Sequence, residues 1–95
     1  MDILKEVILK GYEIKSEMLK AMAHPVRLKI LSGLIDNECY VNEMQSNLKA
    51  PQSTVSQHLS ILKRQGIIAP RKEGVRTCYK VVDKKVIKII NSLDK

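Results

Sequence analysis

The sequence has no Trp, no Phe and only three Tyr among 95 residues. Its interior must therefore be built from Ile, Leu, Val, Met and Ala, a palette that favours packed helices. Tyr12, Tyr40 and Tyr79 are too scattered to form a stacking platform for single-stranded nucleic acid. No stretch reaches the roughly 20 continuous apolar residues of a membrane span. The opening MDILKEVILKGYEIK interleaves charges where a signal peptide needs an apolar run, so a cytoplasmic protein with no membrane partner is expected. Two cysteines are too few for a disulfide scaffold, and in a reducing compartment Cys39 and Cys78 start as thiols. A CxxC motif and a glycine-rich phosphate loop are both missing. No nucleophile has a nearby base either, so neither an enzyme nor a cofactor is expected. The length excludes a two-domain enzyme and predicts one domain over residues 1–95. Such a chain buries only roughly 60–65% of its unfolded surface, so a second copy is a natural supplement.

What the sequence does have is positive charge, and it is unevenly placed. Seventeen Lys and Arg face ten Asp and Glu, for a net +7. Residues 1–50 are balanced, with seven bases and seven acids, whereas residues 51–80 hold six bases against Glu73 alone. A surplus confined to the second half suits a surface that meets a polyanion.

Spacing and breakers divide the chain into elements. Ile3, Leu4, Val7, Ile8, Ile14, Met18, Leu19 and Met22 fit a long amphipathic helix with Gly11 as its weak point. Pro25 disfavours helix at His24 and opens a second helix that ends at Asp36-Asn37. Cys39-Tyr40-Val41 is a short extended candidate, and a third helix runs through Glu43, Met44 and Leu48 to end by Ala50. Pro51 opens a fourth, in which Val55, Leu59 and Leu62 recur on one face and Gly66 supplies the stop. Ile67-Ile68-Ala69 and Val75–Val82 read as two strands around a basic turn at Glu73-Gly74. Asp83 caps a last helix with Val86, Ile87, Ile89, Ile90 and Leu93 on its face.

The order α-α-(β)-α-α-β-β-α, mainly α with a small β-hairpin wing, is the layout of a winged helix-turn-helix, whose second helix enters the major groove. With Val55, Leu59 and Leu62 inward, Ser53, Thr54, Gln57 and Arg64 point outward, with Ser56 and His58 on the flanks. Gln52 joins them at the helix start. Gln can pair with adenine edges, Ser and Thr reach bases or phosphates, and Arg64 suits phosphate. In the hairpin, Arg71, Lys72 and Arg76 would contact the DNA backbone or minor groove, adding affinity with little sequence information.

The run Leu19–Leu31, LKAMAHPVRLKIL, resembles the "LKALADPTRLRIL" motif of the ArsR/SmtB bacterial repressors. The run Pro51–Ile68, PQSTVSQHLSILKRQGII, resembles that family's "SQSTVSxHLxxLxxxGLV" recognition helix, and Arg71–Gly74 its wing. The resemblance implies a homodimer joined by its first and last helices, with residues 51–65 as recognition helix and 71–76 as wing. It further implies a palindromic operator in double-stranded DNA and release by an effector that the sequence does not name. Two types of metal site in that family are not carried over. Tyr40 and Asn42 stand at the thiolate positions of its "ELCVCDL" motif, and residues 83–95 contain no His, so no metal ligand is assigned.

Cys39 and Cys78 remain. In winged helices the strand before the third helix pairs with the second hairpin strand, which would make the two cysteines cross-strand neighbours able to bridge as a disulfide or polysulfide. Family members that sense oxidants or reactive sulfur through two cysteines carry them on helices, so this pair would depart from that pattern. Three readings stay open: packing as small hydrophobes, a switch worked by thiol oxidation or persulfidation, and a pair of metal ligands. A metal-responsive repressor and a winged helix used only for protein interaction are the alternatives to a thiol-switched repressor.

Overall fold

The structure, a computed structural model, describes residues 2–41, 43 and 50–94. Helix α1 (Ile3–Met22) opens on Asp2, whose side chain accepts the Leu4 amide, and runs unbroken through Gly11. At the Met22–Pro25 corner, His24 is extended and its Nδ1 accepts the Val26 amide at 3.1 Å, which caps helix α2 (Pro25–Asp36) with Pro25 in its first turn. Helix α3 (Gln52–Arg64) ends where Gly66 takes a φ of 73°, a left-handed value that glycine adopts at little cost. Strands β1 (Ile68–Glu73) and β2 (Arg76–Val81) pair antiparallel, from Ile68 opposite Val81 to Glu73 opposite Arg76. Asp83 then caps helix α4 (Lys84–Leu93) by accepting the Lys85 and Val86 amides.

Three details differ from expectation. Pro70 to Glu73 belong to β1, so the turn is Gly74-Val75 and Glu73 closes the strand; Gly74 supplies the positive φ. Proline is tolerated there because β1 lies on a sheet edge, where the missing N–H breaks no ladder bond. Second, no strand forms at Cys39–Val41, because Glu38 to Tyr40 make a turn: Asn37 Oδ1 accepts the Cys39 amide at 3.1 Å and Asn37 O accepts that of Tyr40 at 2.9 Å. One ladder-like bond survives, from Tyr79 N to Glu38 O at 2.9 Å. Third, backbone at Val41 and Glu43 is helical, but Asn42 and residues 44–49 of the expected third helix lie outside the described residues.

The core is aliphatic. Ile30, Leu31 and Leu34 of α2 meet Val55, Leu59 and Leu62 of α3, and Ile67, Ile68, Val81, Val86 and Ile90 close it from the hairpin and α4. Burying each large side chain is worth about 1.5–3 kcal/mol. Helix α1 takes little part, since only Ala21 and Met22 are buried on it. Ile3, Leu4, Val7, Ile8, Leu9, Tyr12, Ile14 and Leu19 stand exposed, and the molecule measures 51 × 30 × 22 Å.

Candidate nucleic-acid interface and cysteine site

Because the Val55, Leu59 and Leu62 face is anchored in the core, the opposite face of α3 is presented to solvent. Gln52, Ser53, Ser56, Gln57 and Arg64 are exposed there, and Thr54 is half-buried. Ser56, Gln57, Ser60, Ile61 and Arg64 line one open groove along the helix. Ser60 is an addition to the residues expected from the sequence. Its position, one residue past Leu59, turns it to the outer side and would have identified it.

His58 does not join this face. It is half-buried, and its ring centroid lies 4.6 Å from that of His24. Burial lowers its pKa below the usual histidine value, and the neighbouring His24 and Arg27 lower it further.

The hairpin leaves the core at Ile68 and presents Arg71, Lys72, Glu73 and Arg76 to solvent. Lys72 and Arg76 form no ion pair among the described residues, but Arg71 does. Its guanidinium lies 2.6 Å from Glu38 and 3.1 Å from Glu73 Oε2. Exposed pairs of this kind add at most about 1 kcal/mol of stability. Their stronger effect is to neutralise a wing cation.

Beneath Arg71, Cys39 and Cys78 form a disulfide with Cα atoms 4.5 Å apart. The expected proximity therefore holds, although Cys39 sits on a turn and not a strand. Cys78, opposite Arg71 in the ladder, is fully buried, and Cys39 is half-buried. Glu73 Oε2 stands 3.6 Å from Cys39 Sγ and 3.5 Å from Cys78 Sγ. Bonded sulfurs carry no proton, so only the dithiol form can donate S–H hydrogen bonds to that carboxylate. One oxygen thus touches both sulfurs and the Arg71 guanidinium.

Residues 24–69, from the α1–α2 corner into the hairpin, match the model of the bacterial regulatory protein arsR family. An uncharacterized helix-turn-helix transcriptional regulator of Methanocaldococcus jannaschii is 42% identical over 87 residues, which cover 90% of this chain and 98% of that one. The chain belongs to the ArsR family. Among solved structures, this ArsR-family protein is similar to reduced HlyU from Vibrio cholerae, with a TM-score of 0.83, 39% identity and 93% of each chain covered. It is also similar to the repressor PagR of Bacillus anthracis, with a TM-score of 0.78, 37% identity, 90% of this chain covered and 98% of that one. The ArsR-family chain is thus a winged-helix, DNA-binding transcriptional regulator. No helix among its described residues is long and apolar enough to cross a membrane.

Proposed function

We propose that this ArsR-family regulator is a homodimeric repressor that binds an imperfect palindrome and is released when Cys39 and Cys78 are oxidised to the disulfide. The carrying observation is that bond, placed between the turn before residue 41 and the wing strand β2 and lying against the carboxylate that holds Arg71.

The outer face of α3 supports base readout by Gln57, with Gln52, Ser53, Thr54, Ser56 and Ser60 around it and Arg64 on phosphate. Lys72 and Arg76 would supply sequence-independent affinity. The eight exposed apolar side chains of α1 and Leu93 of α4 support a two-fold partner. Two-fold symmetry would place two recognition helices about 34 Å apart, one turn of B-DNA. Repression follows the role of the repressor PagR, whereas HlyU of Vibrio cholerae is a transcriptional activator.

The chemistry is a two-electron oxidation. The two thiols lose two protons and two electrons and form one S–S bond, while an azo oxidant such as diamide takes up both and becomes the hydrazine. In the dithiol form Glu73 can accept S–H hydrogen bonds; in the disulfide form it has none to accept and its charge is left to Arg71. Oxidation therefore both ties the wing to the Cys39 turn and withdraws a cation from the DNA side.

Fluorescence anisotropy tests this on a duplex from the chain's own upstream region, at fixed salt, first reduced and then treated with diamide. The expected result is a loss of affinity that reductant reverses and that Cys39→Ser removes. Equal affinity in both states would end the switch reading and leave a repressor with another effector. Binding to no duplex at any salt would instead favour a winged helix used for protein interaction.

A further inference from the structure

The oxygen that holds Arg71 is also a metal donor standing between two sulfurs. Among the described residues, ligand atoms of Cys39, Glu73 and Cys78 all lie within 4.8 Å of one another. A tetrahedral zinc centre, with bonds of about 2.3 Å to sulfur and 2.0–2.2 Å to carboxylate oxygen, has S···O edges of about 3.5 Å and an S···S edge of about 3.8 Å. The two S···O distances here are 3.5 and 3.6 Å, so two of three edges are already at length. Only the S–S bond stands between this arrangement and the third, and its reduction lets the two side chains part by rotation about their Cα–Cβ bonds.

We propose that in the dithiol state Cys39, Cys78 and Glu73 bind a thiophilic divalent cation of the zinc class. Two soft thiolates with one carboxylate select Zn2+ or Cd2+ over Mg2+ and Ca2+, which take oxygen sets. Two thiolates, one carboxylate, a divalent cation and the Arg71 guanidinium together leave no net charge, so Arg71 stabilises the loaded site from outside it. Cys39 and Glu73 line an open pocket of about 540 Å³ together with Asp36, Glu38 and Glu43, while Cys78 is buried behind them, so the fourth position on the Cys39 side is left to water. Loading releases two thiol protons and moves no electrons. Forming the disulfide removes both thiolates and expels the ion, so metal and S–S bond are alternative occupants of one place. The site rests on the thiol-switch reading only in requiring that the pair be reducible, and it needs no DNA to be measured.

The test is a Co2+ titration of the reduced, metal-free full chain, followed by Zn2+ competition. The expected result is one ion per chain, with sulfur-to-cobalt charge-transfer absorption and tetrahedral d–d bands, both abolished by Zn2+. Cys39→Ser should remove most of the charge-transfer band, and Glu73→Gln should weaken Zn2+ binding at least about 10-fold. Glu73 is exposed, so that variant keeps its fold, which circular dichroism checks. Bound Zn2+ should also slow diamide oxidation of wild type while barely protecting Glu73→Gln. No charge-transfer band in reduced wild type overturns the site, as does a band unchanged in Cys39→Ser. Unchanged Zn2+ affinity in Glu73→Gln overturns the three-residue assignment. Anisotropy on metal-free reduced protein tests DNA binding separately, so either reading can fail alone.

Discussion

The His24 and His58 rings lie 4.6 Å apart, tilted by 50°, where the α1–α2 corner meets α3. His24 uses Nδ1 to accept the Val26 amide, which caps α2. Burial holds the His58 pKa below its unfolded value, with His24 and Arg27 contributing further. The folded state therefore binds fewer protons at His58 than the unfolded chain once pH falls below about 6.5.

Stability should accordingly decline as pH drops from 7.5 towards 5.5, measured as Tm by circular dichroism. His58→Gln should flatten that slope. A wild-type Tm that rises on acidification through this window would contradict the assignment.

Gln57→Ala should weaken operator binding by about 1–3 kcal/mol and relax base preference, leaving random duplexes little changed. Arg76→Ala should weaken all duplexes alike and lower the salt slope by about 1. Arg71→Ala should cost the disulfide form less than the dithiol form, because Glu38 and Glu73 already neutralise Arg71 when Glu73 has no S–H to accept. Competition anisotropy across a salt series separates the three.

Val7 stands 64% exposed midway along the apolar stripe of α1 and makes no part of the buried core. Val7→Glu should leave the α2–α4 core folded and abolish self-association in analytical ultracentrifugation at micromolar concentration. A Val7→Glu protein that sediments like wild type would remove α1 from the dimer interface.

What the sequence made legible is what short-range spacing encodes. Val55, Leu59 and Leu62 repeat at helical period and are buried, Gly66 stops the helix, and Asp83 caps α4. Cys39 lies in a turn and not the expected strand because the Asn37 side chain captures its amide, a local bond that outcompetes the ladder. His58 sits on the flank of α3 by helical angle, and its packing against His24, which half-buries it, is not visible in that angle. Non-local meetings left no such trace. The Tyr40 ring occupies the space a Cβ would need at Gly33, and Glu38 reaches Arg71 across a long separation in sequence. The site built by Glu73 belongs to the same class: its alternation with Arg71 along β1 is visible, but the sulfurs beside it come from elsewhere.

Helix α1 is 20 residues long yet buries only Ala21 and Met22 within its own chain. An isolated helix of that length is marginal in water, so its order depends on whatever covers the stripe. When that cover is a second copy, mass action ties folding to abundance, and the melting temperature climbs with protein concentration. Chains diluted below the dissociation constant would fray from the N-terminus and become protease-sensitive, so that scarcity itself shortens the lifetime of the regulator.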